Sequence, residues 1–151
     1  MTQASTAGRA SALYALYGRF AALGGMIPDA PIRLAMRLAV AAVFFNSGLL
    51  KVNSWELTLL LFRDEYDLPV LPTVLAAQLA TAMELAVPPF LAAGLLTRLA
   101  TLPLLGMVAV IQAFVYPQAW PEHLLWASIL LFVLARGPGA WSLDRLLGIE
   151  R

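Results

Sequence analysis

The stretch VLAAQLATAMELAVPPFLAAGLL, residues 74–96, decides the fold. Its 23 residues are almost wholly apolar and hold a single ionisable side chain, Glu84. A membrane-spanning helix needs ~20 mostly apolar residues, because ~30 Å of hydrocarbon is covered at a rise of ~1.5 Å per residue. This run has that length. Pro69 and Pro72 mark its approach, and Thr73 is a residue type that caps helix N-termini. Working outward, residues 34–50 and 99–116 form two further runs of this kind, and residues 121–135 a shorter fourth. The fourth gives roughly 22 Å of helix, and it needs local thinning or a buried position to cross. Pro121 suits its first turn, and Gly137-Pro138-Gly139 stops it. Trp55, Tyr116, Trp120 and Trp141 fall near the run ends, where amphipathic rings favour the headgroup region.

The composition of the whole chain agrees. Of 151 residues, 61% are hydrophobic and 13% charged, and none is cysteine; the mean hydropathy is +0.79. A soluble domain carries about 25% charged residues, so this chain lacks the means to cover itself in water. With 10 basic and 9 acidic residues, it also lacks the clustered basic excess of a nucleic-acid binder. Without cysteine there are no disulfides, thiol redox chemistry, iron–sulfur clusters or thiolate zinc sites.

Basic residues orient the spans. Arg9, Arg19, Arg33 and Arg37 lie at or before the first, Arg98 in the turn between the second and third, and Arg136, Arg145 and Arg151 after the fourth. Lys51 and Arg63 are the two on the other side. The positive-inside rule therefore predicts four spans with both termini in the cytoplasm. Residues 1–32 read as a cytoplasmic amphipathic segment, with Leu13, Leu16, Tyr17, Phe20 and Leu23 on one stripe of an interfacial helix rather than in a signal peptide. Residues 33–151 form the transmembrane domain. In the outer loop, residues 55–62 are too short to span and are expected to lie along the outer interface, followed by the acidic run of residues 63–67.

Glu84 falls about 16 Å of rise into its helix, near the midplane. An ionised carboxylate there costs at least ~2.5–3.5 kcal/mol, so it is protonated, paired or exposed to a watery cavity. Pro88 and Pro89 remove the N–H groups that would bind the carbonyls of Glu84 and Leu85, adding polar atoms nearby. Asn46, Ser47 and Lys51 in the first span, Gln78 and Thr81 in the second, Gln112 in the third, and His123 with Trp126 in the fourth all lie in the outer half. The expectation is a cavity open to the outer face, floored by Glu84, with Lys51 and His123 at its mouth. The bland account is that these amides are interhelical hydrogen-bond partners worth ~0.6 kcal/mol each. One histidine and no cysteine make no conventional metal site, and Met36, Met83 and Met107 read as packing. Arg98 reads as a topology-setting arginine, and Ser142 as the cap of a short tail helix.

Several pieces of the chain, in this order and spacing, resemble the DoxX family of small bacterial membrane proteins. They are Arg37, the run from Phe44 to Lys51, Trp55, Phe62 and the run from Leu68 to Pro72. Glu84-Leu85, the run from Gly94 to Arg98, His123 with Trp126, Gly137-Pro138-Gly139 and Ser142-Leu143-Asp144 complete the set. The resemblance covers Arg37 to Leu147 and implies a four-helix bacterial membrane protein. With the residue reading above, the expected fold is an all-α, four-helix bundle in the bacterial inner membrane, with an N-terminal interfacial helix and a short helical outer loop. The resemblance also implies an accessory, non-catalytic subunit of a quinone-linked or stress-protection system. A quinone would then be the ligand, Glu84 the candidate proton carrier, and Gln78, Gln112 and Asn46 partners for its carbonyls. Membrane lipid and a periplasmic or membrane protein would be partners, since electrons must come from elsewhere. Self-association is open, with Gly94 and Gly106 available for close helix contact though in no GxxxG pattern. The alternative is a non-enzymatic scaffold or small-solute transporter that uses Glu84 as a polar station.

Overall fold

A run of apolar residues in hydrocarbon has no water for its backbone, so the chain satisfies its N–H and C=O groups within helices. The computed structural model describes residues 3–66, 69 and 71–150, with side chains from residue 13 onward, and no strand occurs among them. The helices are α1 (Gln3–Gly25), α2 (Asp29–Asn53), α3 (Trp55–Leu61), α4 (Thr73–Ala93), α5 (Thr97–Val110), α6 (Trp120–Arg136) and α7 (Leu143–Leu146). A π-helical turn, Phe62–Tyr66, follows α3, and a second, Ile111–Val115, extends α5. Asp67, Leu68 and Val70, from the acidic run and the Leu68 to Pro72 motif, lie outside the described residues, as does Arg151.

Helices α2, α4, α5 and α6 form an antiparallel ring, each packed on its two neighbours. Val40, Ala41 and Phe44 of α2, Leu91 of α4, Leu104 and Val108 of α5, and Leu130 and Val133 of α6 meet at the centre. The outer faces remain apolar: Leu99, Leu102, Leu124, Leu125 and Leu131 are all at least half exposed. So much uncovered leucine matches a lipid surround, not water. Helices α2 and α4, and α5 with its π turn to Val115, are long and apolar enough to cross a membrane. At 17 residues, α6 gives about 26 Å, one residue longer at each end than the sequence run.

One expectation shifts. The segment from Trp55 does not simply lie along the interface, because Phe62 is buried with Ala76 and Ala77 of α4, and Trp55 and Leu59 pack against them. Helix α1 exposes Leu13, Tyr14, Leu16, Tyr17, Phe20 and Leu23 together, so its apolar surface is unused by the bundle.

At one end of the ring, arginines answer the carbonyls that every helix C-terminus leaves unpaired. Arg37, fully buried, donates to Leu91 O at 3.4 Å and Ala92 O at 3.3 Å, the end of α4, and to Trp141 O. Arg98 donates to Leu134 O and Ala135 O, and Arg33 to Arg136 O at 2.7 Å, the end of α6. Each is also a cation at the negative end of a helix dipole. The tail folds back so that Asp144 caps α5, accepting from Leu96 N at 2.7 Å, Thr97 N at 2.9 Å and Thr97 Oγ1 at 2.6 Å. Ser142 caps α7 as expected, accepting from Arg145 N. Burial raises the Asp144 pKa, but the Thr97 hydroxyl, the two backbone N–H groups and the Arg37 charge outweigh it and hold the carboxyl below its usual range.

Gly94 ends α4 with φ 71°, and a Cβ there would overlap the Arg37 guanidinium and crowd Ser142. Gly94→Ala should therefore destabilise by more than the ~1–2 kcal/mol of left-handed strain alone, read as a lower melting temperature in detergent. Because the folded pKa of Asp144 is depressed, its stabilisation is full above the ordinary carboxylate value of ~3.9 and fades as pH falls through the folded value. Wild type should exceed Asp144→Asn by about 1.5–3 kcal/mol at neutral pH, with the gap closing below about pH 4. Equal stabilities at neutral pH would refute the cap.

Candidate functional site

Away from the arginine end, Lys51 of α2 and Glu84 of α4 are a second set of buried ionisable groups. Ser47 and Lys51 are four residues apart on α2 and share a face. Between them in sequence is Gly48, and α4 presses so close there that an added Cβ would lie 2.9 Å from Leu85 and 3.0 Å from Glu84 Cβ. Any side chain at Gly48 would have to displace Leu85 or part the two helices, so glycine suits this close approach of α2 and α4. The approach brings Glu84 to Lys51: Nζ lies 2.7 Å from Oε2 and 2.9 Å from Oε1. Lys51 also donates to Ser47 Oγ at 2.8 Å, and Ser47 donates to Glu84 Oε1 at 3.3 Å. Glu84 is 3% exposed and Lys51 8%. Of the options open to a carboxylate at this depth, the chain uses pairing. Lys51 does not stand at a mouth.

A cavity of about 600 Å³ adjoins this triad. Its walls come from Val43 and Phe44 of α2, Leu79, Ala80 and Met83 of α4, and Pro103, Gly106, Met107 and Val110 of α5. Phe62, Tyr66, Tyr116, Glu122, His123 and Trp126 complete it, and Ser47, Lys51 and Glu84 supply its polar patch. A Cβ on Gly106 would meet no atom within 4 Å, so this glycine opens the cavity rather than bringing two helices of the chain together. Tyr66 and Tyr116 stack edge to face at 5.9 Å, and Tyr116 donates to Glu65 Oε2 at 2.6 Å. Burial, then the negative charges of Glu84 and Glu65, pushes the Tyr66 hydroxyl above its usual range, so Tyr66 remains a neutral phenol at neutral pH.

The nine residues expected at the site divide. Ser47, Lys51, Glu84, His123 and Trp126 line the cavity. Gln112 stands behind His123, with Oε1 2.6 Å from Nδ1. Thr81 is buried and donates to Ala77 O of its own helix at 2.7 Å. Asn46 and Gln78 are exposed and are not among the lining residues. Asn46 lies ~100° around α2 from Ser47, so the two share depth but not direction. Tyr66, Tyr116 and Glu122 join the lining without having been expected; Tyr116 had been read as an interface anchor, which its position at the end of a span also fits.

Apolar helices around an ion-paired, apolar-walled cavity make this a multi-pass helical membrane protein. A family model described as DoxX matches residues 32–117, more than half of the chain, and the chain belongs to the DoxX family. The match spans α2 to the end of the third span and stops before α6, so His123 and Trp126 lie beyond it. No curated protein and no solved structure matches the chain.

Removing one member of a buried pair leaves the other uncompensated, at a cost of about 3–5 kcal/mol, whereas removing both for apolar groups is near neutral. Lys51→Met and Glu84→Leu should each destabilise by that order, and the double variant should recover most of the loss. Additive losses in unfolding measurements in detergent would show that the two groups are not coupled.

Proposed function

We propose that this DoxX family membrane protein is an accessory subunit of a redox or stress-protection system, and that its cavity receives a lipophilic molecule with a polar head, of the quinone class. The observation that carries this reading is the placement of the Lys51–Glu84–Ser47 triad on the wall of an otherwise apolar cavity. Apolar walls suit a hydrocarbon tail, and few but placed polar groups suit a head. Lys51 would exchange Ser47 for an oxygen of the guest, and Glu84 would hold or pass a proton beside it. A chain without cysteine has no thiol to relay electrons, so those come from a partner protein. Eight basic residues gathered on one side support an inner-membrane placement with cytoplasmic termini and the cavity toward the periplasm.

The test is tryptophan quenching by a decyl-tailed benzoquinone on protein in detergent, with Trp126→Phe identifying the cavity component. Wild type should quench saturably. Gly106→Leu should abolish saturation with an unchanged melting temperature, because its side chain projects into the cavity and not into packed atoms. Glu84→Gln should weaken binding about tenfold, the loss of one charge-assisted hydrogen bond. Linear quenching identical in all variants would mean mere partitioning into the micelle and would defeat the proposal. Solute flux in proteoliposomes that is lost in Glu84→Gln would favour transport instead.

A further inference from the structure

His123 is the sole histidine of the chain and is 4% exposed. Which of its ring nitrogens carries the proton follows from its neighbour. Gln112 donates from Nε2 to Pro117 O at 3.0 Å. Turning that amide over would set two oxygens against each other at the same distance, so its orientation is settled and Oε1 is the atom facing the ring. Oε1 can only accept. At 2.6 Å from it, His123 Nδ1 must therefore be the protonated nitrogen, and in a neutral ring Nε2 keeps a lone pair. The ring packs against Trp126 at 5.5 Å, which limits its rotation, and Nε2 has no hydrogen-bond partner among the described residues. His123 lines the cavity.

We infer that His123 Nε2 is a hydrogen-bond-accepting station in the cavity, and that the guest carries a hydroxyl to meet it. This rests on the ligand-binding reading above and narrows its ligand to a hydroquinone or phenol on an apolar tail, the reduced member of a quinone couple. The cavity thus offers a donor at one place, the Lys51 ammonium, and an acceptor at another, the His123 imidazole. The other titratable groups facing it are Glu84 on α4, Tyr66 on the turn after α3, Tyr116 after α5, and Glu122 on α6 itself. Gln112 is a positioning residue, since it sets the ring's protonation pattern from behind and does not line the cavity.

A lone histidine allows a direct reading. Protein labelled with nitrogen-15 in histidine gives one imidazole, whose two nitrogen resonances report which is protonated. We expect Nδ1 at the protonated position and Nε2 at the unprotonated one, and Gln112→Met should turn this into a mixture of tautomers. Adding a decyl-tailed hydroquinone should move the Nε2 resonance, while its dimethyl ether, the same size with no O–H, should not. Wild type should bind the hydroquinone about tenfold tighter than the ether by Trp126 quenching, and His123→Phe should remove that preference.

Protonated Nε2 in the free protein would overturn the inference outright. Equal binding of hydroquinone and ether, with quenching still dependent on Gly106 and Glu84, would overturn it while leaving the ligand-binding reading standing. No saturable quenching by any probe would remove both.

Discussion

A lysine and a glutamate face each other inside a bundle whose surroundings are hydrocarbon, and much of the architecture follows from making that tolerable. Either ion alone at depth costs at least ~2.5–3.5 kcal/mol, and desolvating both is repaid only with good geometry and further hydrogen bonds. Ser47 supplies the further bonds, contacting both partners. The geometry requires α2 and α4 to run antiparallel in one register at close approach, which Gly48 permits. An apolar pair of equal volume would hold the helices as well or better. Stability alone is therefore a weak reason for these charges, which is why the proposed function places them toward a guest.

The two ends of the bundle divide the work. At the arginine end, Arg33, Arg37 and Arg98 occupy helix carbonyls and Asp144 occupies helix amides, so the tail, the α4–α5 turn and the end of α6 are fastened together. At the lysine end the helices are less regular: α5 passes into a π turn before Tyr116, and α3 into another that carries Tyr66. Such turns break the regular ladder and are frequent at functional sites. The same sequence thus builds a cross-tied base and a less regular rim, with the cavity between base and rim.

Hydropathy made the spans legible, and counting rise along α4 made Glu84 legible as a buried carboxylate. Its partner was not, because depth counted by Cα ignores the lysine stem, which lets an ammonium reach well away from its backbone. Asn46 and Gln78 failed for a different reason. Rise fixes how deep a residue lies, but which way it points depends on which helices are neighbours, and hydropathy does not say. Arg37 and Asp144 were visible as members of a resembling pattern, yet their roles required a tail that returns across the bundle to the α4–α5 turn. No periodicity in either segment encodes that return.

The cavity itself bears on function through its lining. The space of about 600 Å³ is partly open to the surroundings, so it is a recess that its surroundings fill and not a sealed void. Acyl chains could wet its apolar walls, and the ammonium and carboxylate already answer each other and Ser47, but the His123 imidazole finds no partner in a hydrocarbon filling. Water could serve those groups, but it gains nothing against Val43, Leu79, Met83 and Met107. A molecule with an oxygen-bearing head and a hydrocarbon body would suit both surfaces at once, which is the physical ground of the ligand proposed above.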